Sequence, residues 1–203
     1  MILSKIAPIC KKSRKFDLRE DAAGRQWLGN GLAYYRLYDL PYHFSLEQLF
    51  DLAGIDNDTR EKYAAKEDLL LPVEDSADRI RAHASLFVTY SITEYLCLIA
   101  EDKTTVLLPV VYLSPLTLLE KRFSGYSFEW QITRDSKGQQ WAILGAAGRA
   151  YAVIQADPII ADVCFVDRLQ KTVEAIVCEH RNHNDESQLF SVADFARGEE
   201  VTS

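Results

Sequence analysis

The sequence predicts an α+β fold: mainly antiparallel sheet with helices laid on one face, built from repeated hairpin–proline–helix units. Three observations carry this. Strand-like alternation dominates, as in Tyr126, Phe128, Trp130 and Ile132 against Ser127, Glu129, Gln131 and Thr133. Single amphipathic helices separate runs of strands rather than alternating with them one for one. The same phrase, a hairpin leading to a proline and then a helix, is written three times, ending at Pro41, Pro109 and Pro158.

The elements follow in order. Phe16 and Leu18 alternate with Asp17 and Arg19 as a half-buried strand, and Asp21-Ala-Ala-Gly24 turns the chain. A second strand is expected from Gln26 to Leu40, with Gly29 and Gly31 marking a bulge or bend. Ser45-Leu-Glu-Gln48 is a capping box, so a helix starts there with Leu46, Leu49, Phe50 and Ala53 inward and Gly54 as its stop. Asp58-Thr-Arg-Glu61 opens a further short helix carrying Tyr63, and Leu69-Leu-Leu-Pro72 closes the section.

The charged stretch Glu74 to Ala84 reads as a connecting loop between an N-terminal ββα(α) half, 1–73, and a C-terminal βββαβββα half, 85–203, within what is also readable as one continuous domain. Leu86 to Thr93 has bulk on both faces, as a central strand does. Strands follow over 95–100 and 104–112, joined by Glu101-Asp-Lys103. Ser114-Pro115 reads as N-cap plus first-turn proline, with Leu116 and Leu119 inward and Gly125 as the stop. The 126–133 strand turns at Arg134-Asp-Ser-Lys-Gly138, returns over 141–145, and is followed by a strand over 151–155. Asp157-Pro158 then opens a helix of about twenty residues along Ile159, Val163, Val166, Leu169, Val173, Ile176 and His180.

Two internal alignments compete. A shift of 117 matches Gly31/Gly148, Ala33/Ala150, Tyr34/Tyr151, Leu37/Ile154 and Pro41/Pro158; a shift of 68 matches Leu40-Pro41 with Leu108-Pro109. Duplication and shared local physics both account for them, because a strand leaving a sheet needs a residue that ends the ladder and proline does so.

Composition narrows the class. Hydrophobic residues at 48% and charged residues at 26% are ordinary for a soluble globular domain, and no apolar run reaches the ~18 residues of a membrane span, so no membrane partner is expected. The first ten residues lack the charged leader and cleavage site of a signal peptide. Cys10, Cys97, Cys164 and Cys178 are widely spaced, the pattern of reduced thiols in a cytoplasmic protein. A net charge of −7 excludes an all-over basic coat, not a local basic face.

No motif points to catalysis or to a cofactor. Cys178, His180 and His183 lack a second ligand pair at zinc spacing, and the dipole at a helix end explains the histidines. Asp56-Asn57-Asp58 lacks the glycine and bidentate glutamate of a calcium loop. Gly29-Asn30-Gly31 and Gly145-Ala-Ala-Gly148 lack the lysine and helix of a phosphate loop. Asp75 and Asp78 read as a solvated pair.

Binding candidates remain. Lys11, Lys12, Arg14 and Lys15 place four positive charges in five residues, and Lys121, Arg122, Arg168 and Lys171 lie on the later helices; either group suits phosphate backbone, or simply a solvated or edge-guarding face. The aromatics Trp27, Tyr34, Tyr35, Tyr38 and Tyr42 crowd one segment, and those that alternation sends outward suit a protein interface, the rest core packing.

Two resemblances add to this. Gln26-Trp-Leu-Gly-Asn-Gly31 leading to Asp39-Leu-Pro41, with Leu70-Leu-Pro72-Val73 downstream, resembles uncharacterised proteins encoded in phages and prophages of Gram-positive bacteria. That likeness spans roughly the first third of the chain, carries no known active site, and implies a mobile-element setting in a bacterial cytoplasm. Val106-Leu-Leu-Pro109, a helix, three strands and a further helix are similar in pattern to the repeat of DNA sliding clamps. It implies a ring-forming homo-oligomer with Lys121, Arg122, Arg168 and Lys171 facing DNA, although the last helix is too long and the first half irregular. The resulting expectation is a non-enzymatic protein that binds a macromolecular partner, in DNA replication or repair or against a host defence. The alternatives are a clamp-like oligomer and an enzyme whose site is assembled from residues outside any motif.

Overall fold

A computed structural model describes residues 2–38, 43–74, 78–90, 92–158 and 171. Among these residues ten strands, numbered β1 to β10 in chain order (15–20, 26–29, 33–36, 64–70, 80–90, 93–100, 105–109, 129–134, 140–146 and 149–155), form one sheet in the order β4-β1-β2-β3-β10-β9-β8-β5-β6-β7. The α+β expectation holds: the sheet is antiparallel at every junction but one, and the described helices cover one face.

The chain starts with a helix that the sequence analysis did not anticipate, α1 (Leu3–Ser13), with Pro8 inside it. Proline removes a helical hydrogen bond. The cost is offset by burial of Ile2, Leu3, Ile6, Ile9 and Cys10, whose spacing lies along one helical stripe. β1 (Lys15–Glu20) sends Phe16 and Leu18 to this helical layer. The long strand expected over 26–40 is instead a hairpin, β2 (Gln26–Gly29) and β3 (Ala33–Arg36). Gly29 and Gly31 belong to its turn. A Cβ on Gly29 would lie 2.0 Å from the Ala33 carbonyl oxygen, and Gly31 has φ +92°. The Asn30 side-chain oxygen accepts from the N–H groups of Leu32 and Ala33, which closes the turn.

The capping box forms as expected at α2 (Leu46–Leu52): Ser45 Oγ accepts from Gln48 N–H, and Gln48 reaches back to Ser45 N–H at 2.9 Å. Gly54 ends it, with Ile55 N–H bonding to the Phe50 carbonyl and Gly54 N–H to that of Asp51. The short α3 (Asn57–Arg60) follows. β4 (Ala64–Leu70) then runs parallel to β1, pairing Lys15 with Ala64 and Asp17 with Lys66. This parallel edge is a correction: the stretch was expected merely to close the section. Ala-Ala-Lys-Glu lacks strand patterning because an edge strand with both faces open has no buried face to pattern, and lysine suits such an edge.

The segment 74–84 is not a loop throughout. β5 (Ile80–Tyr90) already starts at Ile80, pairing Ile80 with Ile132 of β8 and Ala82 with Ala100 of β6. The sheet thus runs through residues on both sides of that segment. β6 (Thr93–Ala100) and β7 (Thr105–Pro109) meet at the expected turn, where Lys103 has φ +69°. Ser114-Pro115 opens a 3-10 turn over Ser114–Leu116, not an α-helical cap; α4 (Thr117–Arg122) begins after it. β8 (Glu129–Arg134), β9 (Gln140–Ala146) and β10 (Arg149–Gln155) complete the sheet.

The main core lies between α1, α2, α4 and one face of the sheet, around Phe16, Leu28, Tyr35, Leu98, Leu108 and Ile154. Burying each such side chain contributes about 1.5–3 kcal/mol. The opposite face holds a smaller core of Trp27, Tyr34, Trp141, Ile143 and Val153, covered by Leu71 and Val73.

The hairpins β1–β2 and β8–β9 are the same object. Both read Asp-x-x-Gly-x-Gln-Trp, Asp21 to Trp27 and Asp135 to Trp141. In each, the Asp carboxylate accepts from the N–H groups two and four residues on, at 2.9–3.0 Å, and from the Trp indole N–H at 3.1 Å. In each, the Gly donates to the Asp carbonyl. The strand order β1-β2-β3-β10-β9-β8 reads the same from either end, two-fold about the antiparallel β3–β10 pair.

This overturns the shift of 117. Tyr34 faces the smaller core and Tyr151 the larger, so they are not equivalent. The turns are related by 114, and β3 to β10 by 119, because Trp27 pairs with Arg36 and Trp141 with Gln155. That register puts Tyr34 and Val153 on one face and Tyr35 and Ile154 on the other.

Burial pushes the Asp21 carboxyl up, but the Arg25 N–H, the Trp27 indole and the Arg25 guanidinium outweigh it and hold the group below its usual range. A carboxyl depressed in the folded state contributes stability that is complete above its unfolded value, about 3.9, and is lost as pH falls through the folded value. Asp135 is held low in the same way, burial again opposed by the Trp141 indole and the Gln139 and Lys137 N–H groups. Asp21→Asn is expected to cost about 1–2 kcal/mol at pH 7, since the amide cannot accept on both sides. It should also flatten the loss of stability below pH 4, read by urea unfolding at pH 5, 4 and 3.

Candidate functional site

The basic segment sits where α1 passes into β1. Lys11 and Lys12 occupy the last turn of α1, where cations meet the negative end of the helix dipole. Arg14 caps that helix in the left-handed conformation, φ +52°, its N–H donating to the Lys11 carbonyl at 3.1 Å. Its own carbonyl accepts from Ala64 N–H at 2.9 Å, so the cap is fastened to β4. Lys12 and Arg14 are exposed, and Lys11 is half-buried.

Lys15 behaves differently because β1 alternates. Lys15, Asp17 and Arg19 share the face away from the helices. Asp17 is fully buried, and its Oδ2 accepts from Tyr34 Oη at 3.0 Å with Lys15 Nζ and Arg19 Nη2 each 3.5 Å away. The Arg19 guanidinium lies 4.7 Å from the Tyr34 ring centroid and donates to the Leu70 carbonyl at 2.6 Å. The Lys15 ammonium crosses Gly31, where a Cβ would stand 2.1 Å from it. Asp17 Oδ1 and Arg19 Nε are buried with no hydrogen-bond partner. Pairing with Lys66 in the sheet register sets one more exposed cation on this face.

Asp17 therefore draws the charges of Lys15 and Arg19 inward. Among the described residues, Lys11, Lys12, Arg14 and Lys66 form no ion pair. Asp17 and its partners went unrecognised in the sequence analysis; the signal was an aspartate in mid-strand between two cations spaced by two, which places all three on one face.

The other candidates fall elsewhere. Lys121 and Arg122 are exposed in the last turn of α4, with Arg122 5.9 Å from the Tyr38 ring centroid. Lys171 is exposed and helical, and Arg168 lies outside the described residues. Of the aromatics proposed for an interface, Trp27, Tyr34 and Tyr35 are buried in the protein's own cores at 1%, 1% and 0% exposure. Alternation divides them between the two faces, and both faces are covered, so none of the three reaches the surface. Tyr38 is half-buried against Phe123 and Tyr151, and Tyr42 lies outside the described residues. Cys178, His180 and His183 also lie outside them.

The two described cysteines are free and buried, Cys10 beside Gly29 and Cys97 in the face of β6 away from the helices. Burial, with the Asp17 charge adding to it at Cys10, pushes both thiols up to about 12, far from the range in which a thiolate attacks. No described helix is long and apolar enough to cross a membrane.

Fold and surface together define an α+β protein built on one mixed ten-stranded sheet with a basic corner at its β1–β4 end. No protein-family model, no curated protein and no solved structure matches the chain.

Proposed function

We propose that this is a non-enzymatic binding protein of phage or prophage type, which meets a macromolecular partner through the α1–β1 basic junction, and that nucleic-acid backbone is the chemistry this junction fits. The observation that carries the reading is the concentration of Lys11, Lys12 and Arg14, held on a helix end and a fastened cap, in a protein of net charge −7. Rigid placement limits the entropy lost when the cations meet phosphates. The resemblance to phage and prophage proteins supplies the setting. Replication, repair and anti-defence roles are all compatible with such a contact.

The test is binding to a labelled DNA duplex and single strand across a salt series. Three phosphate contacts give a log–log slope of about −2.7 on duplex. Lys12→Glu with Arg14→Glu is expected to weaken binding at least tenfold and to flatten that slope, with the melting temperature lowered by only a few degrees, the cost of placing acid at the negative end of α1. Binding indifferent to salt and to the double reversal would sink the reading.

A ring-forming oligomer is the second reading, supported by the exposure of Lys121, Arg122 and Lys171. It predicts a dimer or trimer in sedimentation at high concentration, and loss of DNA retention on charge reversal at Lys121 and Arg122 rather than at Lys12 and Arg14.

A further inference from the structure

The two Asp-x-x-Gly-x-Gln-Trp hairpins share the Asp–Trp latch and its backbone bonds; the first adds a bond from Arg25 Nε to Asp21 at 2.6 Å where the second has Gln139, and the two differ again at the side chain of the glutamine before the tryptophan. In the first, the Gln26 amide closes on a peptide group: Nε2 donates to the Phe44 carbonyl at 2.9 Å and Oε1 accepts from the Phe44 N–H at 2.7 Å. A primary amide presents the same donor and acceptor as a peptide unit, so this is one rung of strand pairing supplied by a side chain. Gln140 holds the matching place in the second hairpin. Its backbone carbonyl accepts from Ala156 N–H at 2.9 Å, as that of Gln26 accepts from Leu37 N–H at 2.9 Å.

Among the described residues, nothing pairs with the Gln140 side-chain amide. Gln140 stands between two clefts of about 400 and 480 Å³ and lines both. The first is walled by Lys137, Gln139, Gln155 and Pro158, and the second by Asp78, Asp102, Thr104 and Asp135, with Arg134 common to the two. The carboxylates of Asp102 and Asp135 take their hydrogen bonds from uncharged donors, Thr104 N–H and Oγ1 for the one and Lys137 N–H, Gln139 N–H and the Trp141 indole for the other. Those bonds orient the negative charge without neutralising it; the Arg134 guanidinium acts on Asp102 and the Lys137 ammonium on Asp135, and in the second cleft three carboxylates stand against the one cation, Arg134.

We infer that Gln140 and its two clefts form a docking site for an extended segment of a partner protein, whose backbone pairs with the Gln140 amide as Phe44 pairs with Gln26, and whose basic side chain enters the cleft of Asp78, Asp102 and Asp135. Recognition of this kind adds a strand-like rung for affinity and a charged pocket for choice of sequence. The site shares no residue with the basic junction, so either stands without the other.

The test is titration of the full chain, labelled for NMR, with a pool of acetylated pentapeptides carrying Lys or Arg at the centre, and with the same pool carrying Glu there. The basic pool should shift the Gln140 side-chain amide and the Trp141 indole resonances saturably, and the acidic pool should bind at least tenfold more weakly. Gln140→Ala should weaken binding at least tenfold with an unchanged melting temperature, since its amide holds nothing in the fold. Asp78→Asn with Asp102→Asn should remove the preference for the basic pool. The inference is overturned if neither resonance moves at about 1 mM peptide, or if the two pools bind alike. It is equally overturned if Gln140→Ala binds as the natural protein does, or if the Gln140 amide protons already exchange slowly without peptide, which would place a segment of this same chain on the amide.

Discussion

Replacing Tyr35 by alanine is expected to lower stability by about 4 kcal/mol, because it empties the centre of the larger core. Tyr35 is 0% exposed and lies in β3, the strand that joins the two halves of the sheet by pairing with Ala152 of β10. Its hydroxyl donates to the Tyr112 carbonyl at 2.6 Å, fastening a first 3-10 turn, Val110–Tyr112 directly after β7, to the middle of the sheet. Alanine removes both the ring and that tie. For a chain of this length about 2–4 °C of melting temperature goes with each kcal/mol, so the transition should fall by about 8–16 °C. Tyr35→Phe keeps the ring and loses the hydrogen bond alone, about 1 kcal/mol. The pair separates a core residue from an interface residue: a partner contact would lower affinity and leave the melting curve in place, and that outcome would contradict the burial described above.

The second large effect is expected at Asp17. Asp17→Ala leaves the Tyr34 hydroxyl and the Arg19 guanidinium on the inner face without the carboxylate that gathers them. Removing one partner of a buried charged set typically costs about 3–5 kcal/mol, since the remaining groups stay desolvated. Here the lower end applies, because Arg19 keeps the Leu70 carbonyl and Lys15 swings toward water. Urea unfolding should show an earlier midpoint with an unchanged slope. A double-mutant cycle with Tyr34→Phe measures the coupling directly, and a value above about 0.5 kcal/mol marks a true shared network. Release of Lys15 adds one mobile cation to the α1–β1 junction. The same variant is therefore expected to bind nucleic acid as well as or better than the natural protein once allowance is made for the unfolded fraction.

Local physics was legible wherever it acts over a few residues. Ser45 and Gln48 close a capping box, Gly54 ends a helix, and Trp130 and Ile132 mark an inward face. Each depends on atoms within one turn or one strand, so the residues that make the feature are adjacent in the chain. The repeat was visible too, but in the wrong register. Matching tyrosine to tyrosine at 117 joins side chains on opposite faces of the sheet. The face a residue takes depends on how long the intervening turn is and which partner strand sets its pairing. The Asp–Trp latch, two residues separated by six, holds the register that identity alone could not.

What the sequence by itself determined is the class of the molecule: an α+β body, its hairpins and capped helix, and a basic segment in an acidic chain. What only the tertiary structure decided is who is inside. β4 is a strand because β1 offers it an edge, and Ile80 to Ala84 is sheet because β6 and β8 flank it. Pro8 is tolerated in α1 because the core takes up the apolar stripe around it. Trp27, Tyr34 and Tyr35 lie in cores because both faces of their sheet are covered, whereas Lys12 and Arg14 stay outside. Pairing partners and covering layers come from residues distant in sequence, and no local pattern records which distant segment will arrive.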